Sequence, residues 1–208
     1  MVRKKPEYQR EPRELRDLIL GQGFATPFQL ARIIAWKSAI AVAGVTLNSE
    51  ADIYRWTHEA LLVRAETLDL DVMNPPDGFT WSDWETATRS IVGINTHQAA
   101  KQGCEPSGLL AIRGVDYPVA SAFLCIVNSK CWPVMDRYAL QTVFGSGSPA
   151  THFRAAHYRV FAEHLTTEGH NHWPGEATIH DLDQRAMRVS DPDEPDDLPA
   201  GWNYAASP

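Results

Sequence analysis

Residues 106–142 read PSGLLAIRGVDYPVASAFLCIVNSKCWPVMDRYALQT, and the fold turns on this stretch. The reading is helix, tight hairpin, helix, short extended link, then a carboxylate at the mouth of another helix. Residues 106–112 are apolar and short. Gly114 supplies the backbone freedom that a sharp reversal needs. Pro118 falls in the first turn of the next helix, where its missing N–H is no loss. That helix carries Val119, Ala120, Ala122, Phe123, Ile126 and Val127, and Asn128-Ser129 ends it. Trp132-Pro133-Val134 is extended, because a residue before proline avoids the helical region. Asp136 follows as the cap of a helix over 137–144.

Outside this stretch the periodicity is helical throughout. Helices are expected over 12–20, from Thr26-Pro27 to about Ser38, from Ser49 onward with Ile53, Trp56, Ala60 and Leu61 as its stripe, and over 95–103. Ser82-Asp83-Trp84-Glu85 reads as a capping box, with Trp84, Ala87 and Ile91 inward and Gly93 as the stop. Ser148-Pro149 opens a long helix to about Thr167. A loop follows at 169–175, then a last helix over 176–189 with Ile179, Leu182, Ala186 and Val189 aligned. The run 39–47 is apolar and ambiguous between helix and strand. No alternating strands and no repeat stand out, so the class is all-α.

Length and composition agree with a packed protein. A chain of 208 residues, 44% apolar with seven tryptophans, can bury a sizeable core. The expected organisation is one helical domain of two lobes over 1–188 and an acidic, Asp/Pro-rich tail over 189–208. The N-terminal charges have no apolar run behind them, so no signal peptide is expected, and no stretch is long enough to span a bilayer. Cys104, Cys125 and Cys131 form no CxxC pair, which favours a reduced, cytoplasmic setting. The net charge of −7 is concentrated at one end: residues 176–208 hold eight acids and two bases. Charge therefore excludes a strongly basic surface, though the first sixteen residues carry six bases against three acids. Two readings of this tail stay open: it folds over a basic groove and competes with DNA, or it serves solubility alone.

The stretch 112–140 resembles the helix-hairpin-helix DNA glycosylase superfamily, whose pattern is roughly LPGVGxKTA, a helix, and then Pro-x-Val-Asp. Here it stands as Ile112-Arg113-Gly114-Val115-Asp116-Tyr117-Pro118-Val119-Ala120 and Pro133-Val134-Met135-Asp136-Arg137, with 18 residues from Pro118 to Asp136. The resemblance implies a two-lobed all-α fold and base-excision repair of a damaged base in double-stranded DNA, without sequence specificity, by a monomer. It implies Asp136 as the catalytic carboxylate. Arg113, Gly114, Val115, Asp116 and Tyr117 would hold a phosphate on hairpin amides, and Trp36 and Lys37 would sit at the mouth of a base pocket. Pro118 stands where lyase-competent members place a lysine, so hydrolysis without lyase chemistry is expected. The four C-terminal cysteines of the iron–sulfur members are missing, so no cofactor is expected. Asp116 replaces the second glycine; it can cap the helix at Tyr117 but sets a negative charge beside the phosphate position.

Two other readings remain open on the residues. The hairpin alone suits a non-catalytic module that binds DNA structures. Six of the eight histidines, His152, His157, His164, His170, His172 and His180, lie between residues 152 and 180, and with Glu163, Asp181 or Asp183 they suggest a metal-dependent hydrolase. No HExxH accompanies them, and an exposed histidine loop binding no metal is the expectation.

Overall fold

The computed structural model describes residues 11–38, 49–63, 70–148, 154–193 and 195–208. The ambiguous run 39–47 and His152 lie outside them. The helices are α1 (Glu11–Gln22), α2 (Pro27–Ser38), α3 (Glu50–Val63), α4 (Trp81–Val92), α5 (Thr96–Gln102), α6 (Tyr117–Val127), α7 (Arg137–Phe144), α8 (Ala155–His164), the single turn α9 (His170–His172) and α10 (Ile179–Val189). Among the described residues the one β-type pairing is an isolated antiparallel bridge between Ile94 and Ser107. The architecture is all-α, and no described helix is long and apolar enough to cross a membrane. The chain gathers into two compact units, Met1–Ala65 with Ile91–Val127 and Glu66–Ser90 with Asn128–Pro208.

In the first unit α6 packs against α1 and α2. Every residue from Val119 to Val127 is buried, as expected of a helix apolar on all sides. Arg16 Nε donates to the Val127 carbonyl at 3.2 Å, placing a cation where the α6 dipole is negative. Thr26 and Gln29 cap α2 reciprocally: Gln29 N–H reaches Thr26 Oγ1 at 3.2 Å and Thr26 N–H reaches Gln29 Oε1 at 2.8 Å. Ile53, Trp56 and Ala60 of α3 are buried as expected, joined by Thr57, whereas Leu61 is only partly so.

The helix expected over 106–112 shrinks to one 3-10 turn, Leu109–Ala111. The bridge explains this. Ile94 N–H donates to the Ser107 carbonyl at 3.0 Å and Ser107 N–H to the Ile94 carbonyl at 3.1 Å, which holds Ser107 extended. The approach is so close that a Cβ on Gly93 would stand 1.9 Å from the Ser107 oxygen.

In the second unit α7 packs along α10, and Thr142 Oγ1 donates to the Ala186 carbonyl at 2.6 Å. Trp84, Trp132 and Tyr158 are buried, and the Trp84 and Tyr158 rings meet edge to face with centroids 5.2 Å apart. The cap of α4 is Thr80, two residues before the box expected at Ser82. Asp83 N–H reaches Thr80 Oγ1 at 3.1 Å, while Glu85 is taken by Arg89 and Arg159 instead of closing a box. Likewise α10 is capped by Thr178, reciprocally with Asp181, and Glu176 pairs with Arg185 at 2.6 Å.

The loop expected from Gly169 begins later. After α8 the backbone winds through a π turn, Leu165–Gly169, into α9. The Thr166 and Thr167 hydroxyls each donate to the Glu163 carbonyl at 2.9 Å, which satisfies an oxygen near the change of winding. The tail is anchored as well. Asp193, Asp196 and Asp197 are exposed, but Trp202 is 8% exposed, with His164, His172 and Trp173 ring centroids within 5.6 Å. Trp202 Nε1 donates to the Thr142 carbonyl at 3.0 Å and Ala205 N–H to the Val143 carbonyl at 2.9 Å.

Candidate functional site

The hairpin lies in the first unit. Val115 N–H donates to the Ile112 carbonyl at 3.0 Å, closing a four-residue turn. Gly114, its third residue, has φ +88°, the left-handed value that a type II turn requires there. Arg113, Gly114 and Asp116 are exposed, while Ile112 and Val115 anchor the turn in the core. Asp116 caps α6, its Oδ1 accepting from Val119 N–H at 3.0 Å. The cap fixes the helix mouth, and it also changes what the hairpin offers an anion. The Val119 amide is taken by Asp116, the Val115 amide by the turn, and Pro118 has none.

Trp36 and Lys37 belong to the same unit, in the last turn of α2, and both are partly buried. Trp36 and Lys37 thus come from the end of α2, and Arg113–Tyr117 from the turn that leads into α6, within one compact body.

Asp136 belongs to the second unit. Its Oδ1 accepts from Tyr138 N–H at 2.8 Å, and its carbonyl begins the α7 ladder by accepting from Leu140 N–H at 2.9 Å. The carboxylate is partly exposed, whereas every residue from Cys131 to Met135 is buried. Arg137 follows it, the guanidinium carbon 5.5 Å from the Tyr138 ring centroid.

The backbone leading to Asp136 is held by side chains that sequence reading did not connect with it. Trp132 Nε1 donates to Thr88 Oγ1 at 3.1 Å. Tyr158 OH donates to the Pro133 carbonyl at 2.7 Å. Val134 N–H donates to Asp183 Oδ2 at 2.6 Å, and Asp136 N–H turns back to the Val134 carbonyl at 2.8 Å, a three-residue turn. Asp183 is 1% exposed; its Oδ2 also lies 3.0 Å from His180 Nδ1, and its Oδ1 accepts from Gln184 Nε2 at 3.1 Å. Burial pushes the Asp183 carboxyl above the usual carboxylate range, against the pull of His180 and of its hydrogen bonds. A signal for Asp183 was present: it is an acid on the apolar stripe of Ile179, Leu182 and Ala186. Nothing comparable marks Tyr158, which reads as one more core aromatic.

The histidines do not converge. Among the described residues no group of three or more His, Cys, Asp or Glu is placed to hold a metal ion. His157 is buried and its Nδ1 accepts from Arg154 N–H; His164 meets Trp202 edge to face; His172 meets Glu168 at 3.3 Å; His170 is exposed. The metal-hydrolase reading therefore has no centre among these residues. Lys130, the lysine nearest the motif in the second unit, is paired with Asp71 at 3.3 Å.

No protein-family model, curated protein or solved structure matches this chain.

Proposed function

We propose that the chain is a DNA glycosylase-like protein that hydrolyses the N-glycosidic bond of a damaged base in double-stranded DNA. One observation carries the reading. A partly exposed carboxylate, Asp136, caps a helix at the end of a buried and tightly bonded segment, 18 residues after the proline that follows a glycine hairpin.

The chemistry asks for this arrangement. Cleavage of a base–sugar bond passes through a cation-like sugar, and a fixed carboxylate stabilises that charge while water attacks. A target base must first leave the stack, which a mismatched or damaged base does most easily. The hairpin turn supports phosphate contact without base reading, with Arg113 exposed beside it. The chemistry is hydrolytic, since Pro118 has no amine to form a Schiff base. The Asp116 cap leaves the hairpin with fewer amides for a phosphate than the family pattern offers, so weak, salt-sensitive DNA binding is expected.

The test is a panel of duplexes that each carry one damaged or mismatched base, with release of the free base as the readout. Release from at least one duplex, leaving an intact abasic strand, is expected. Binding to several duplexes with release from none would replace the enzyme by the non-catalytic DNA-structure binder. Neither binding nor release would remove DNA from the picture.

A further inference from the structure

We propose that Asp183 is a positioning residue for Asp136, holding the peptide that sets where the Asp136 carboxylate stands. The inference rests on the glycosylase reading above, and names what keeps its central carboxylate in place.

The geometry is specific. A single peptide unit, Pro133 to Val134, is gripped at both ends by side chains. Its oxygen accepts from Tyr158 OH at 2.7 Å and its N–H donates to Asp183 Oδ2 at 2.6 Å. The next carbonyl, that of Val134, accepts from Asp136 N–H at 2.8 Å, so the Asp136 backbone hangs directly from the gripped peptide. The chain is fastened a second time upstream, where His180 N–H donates to the Ser129 carbonyl at 3.2 Å. One turn of α10 thus holds both ends of the segment 129–134.

A plain structural role does not call for an acid here. A backbone N–H is satisfied as well by a neutral oxygen, and burying a carboxylate is unfavourable unless it is fully bonded. Asp183 is 1% exposed and is so bonded, by Val134, His180 and Gln184. A charged acceptor makes a shorter, stiffer hydrogen bond than a neutral one. Stiffness matters for a group that stabilises charge, because a carboxylate that retreats from about 4 Å to about 5 Å at an effective dielectric near 20 binds that charge about fourfold less tightly.

The experiment compares two duplexes, one with a cationic pyrrolidine abasic nucleotide and one with a neutral tetrahydrofuran abasic nucleotide. Their affinity ratio reads the Asp136 charge and requires no known damaged base. Wild type should prefer the cationic duplex, and Asp136→Asn should erase the preference. Asp183→Ala should lower it about fourfold while binding the neutral duplex as wild type does. Asp183→Asn, whose neutral amide oxygen still accepts from Val134 but more loosely, should fall between wild type and Asp183→Ala. Should Asp183→Ala fail to fold, Tyr158→Phe removes the grip at the other end of the same peptide and should lower the ratio in the same sense. An undiminished ratio in a folded Asp183→Ala or Tyr158→Phe, or an equal loss on both duplexes, would overturn the positioning role alone. A wild-type protein without cation preference would overturn the glycosylase reading itself, and the positioning role with it.

Discussion

Asp136 performs two jobs that one pair of substitutions separates. Its Oδ1 accepts from Tyr138 N–H at 2.8 Å, so it is the cap of α7. Asparagine caps a helix about as well as aspartate, whereas alanine costs about 0.5–2 kcal/mol. For a chain of this size that is a fall in unfolding midpoint on the order of 1–8 °C. The catalytic job depends on charge. A carboxylate about 4 Å from a cationic sugar, at an effective dielectric of about 20, is worth about 4 kcal/mol, or about three powers of ten in rate. Asp136→Asn should therefore melt within about a degree of wild type, yet cleave about a thousandfold more slowly. Asp136→Ala should show the same kinetic loss together with the lower midpoint. The assay is single-turnover base release from whichever duplex the panel identifies, run beside thermal unfolding of the same preparations. Wild-type cleavage by Asp136→Asn would refute the reasoning, leaving Asp136 a cap and the site without its carboxylate.

Three other outcomes are expected. Borohydride added during reaction should trap no covalent protein–DNA adduct, since Pro118 has no amine and Lys130 is paired with Asp71; a trapped adduct would expose another amine as nucleophile. Trp202→Ala should destabilise the protein by about 3–5 kcal/mol in denaturant unfolding, because the ring is buried against His164, His172 and Trp173, and a change within error would mean the tail is not anchored. Stability should fall between about pH 7 and pH 5, because burial holds His164 below the usual imidazole range against the pull of Glu168 and the Asn203 backbone, so the unfolded chain takes up the proton first. His164→Gln should reduce that slope, leaving the part contributed by His157, which burial also holds below the usual imidazole range. Asp183, raised by burial, contributes with the opposite sign, being lost as pH rises through its folded value, but it is common to both proteins and cancels in their difference. Parallel slopes would sink the assignment to His164.

The local chemistry of the motif could be read directly from the residues. Gly114 at a turn with φ +88°, Asp116 capping α6, Asn128 ending it and Asp136 capping α7 all follow from preferences that act within four residues. The all-α class followed from periodicity for the same reason, since a helix satisfies its backbone from its own chain. Where rival local signals compete, neighbours in space decide. Thr80 and Ser82 each stand three residues before an acid, and Thr80 prevails where Glu85 is drawn to Arg159, 74 positions away in the chain. The helix expected over 106–112 yields to a bridge with Ile94 that no local preference announces.

The candidate site divides along the same line. Asp136 was legible because a cap and a proline link are sequence-local. The grip on its backbone was not, because Tyr158 and Asp183 come from helices 25 and 49 residues further along. In sequence Asp183 shows only as an acid on an apolar stripe, with nothing to name its partner, and Tyr158 is one aromatic on an apolar face. Only packing α10 along α7 buries that acid, and burial is what makes it seek the Val134 amide. Residue types fixed which groups were able to cap, turn and bond. Burial, which exists only once the helices have packed, decided which of them had to.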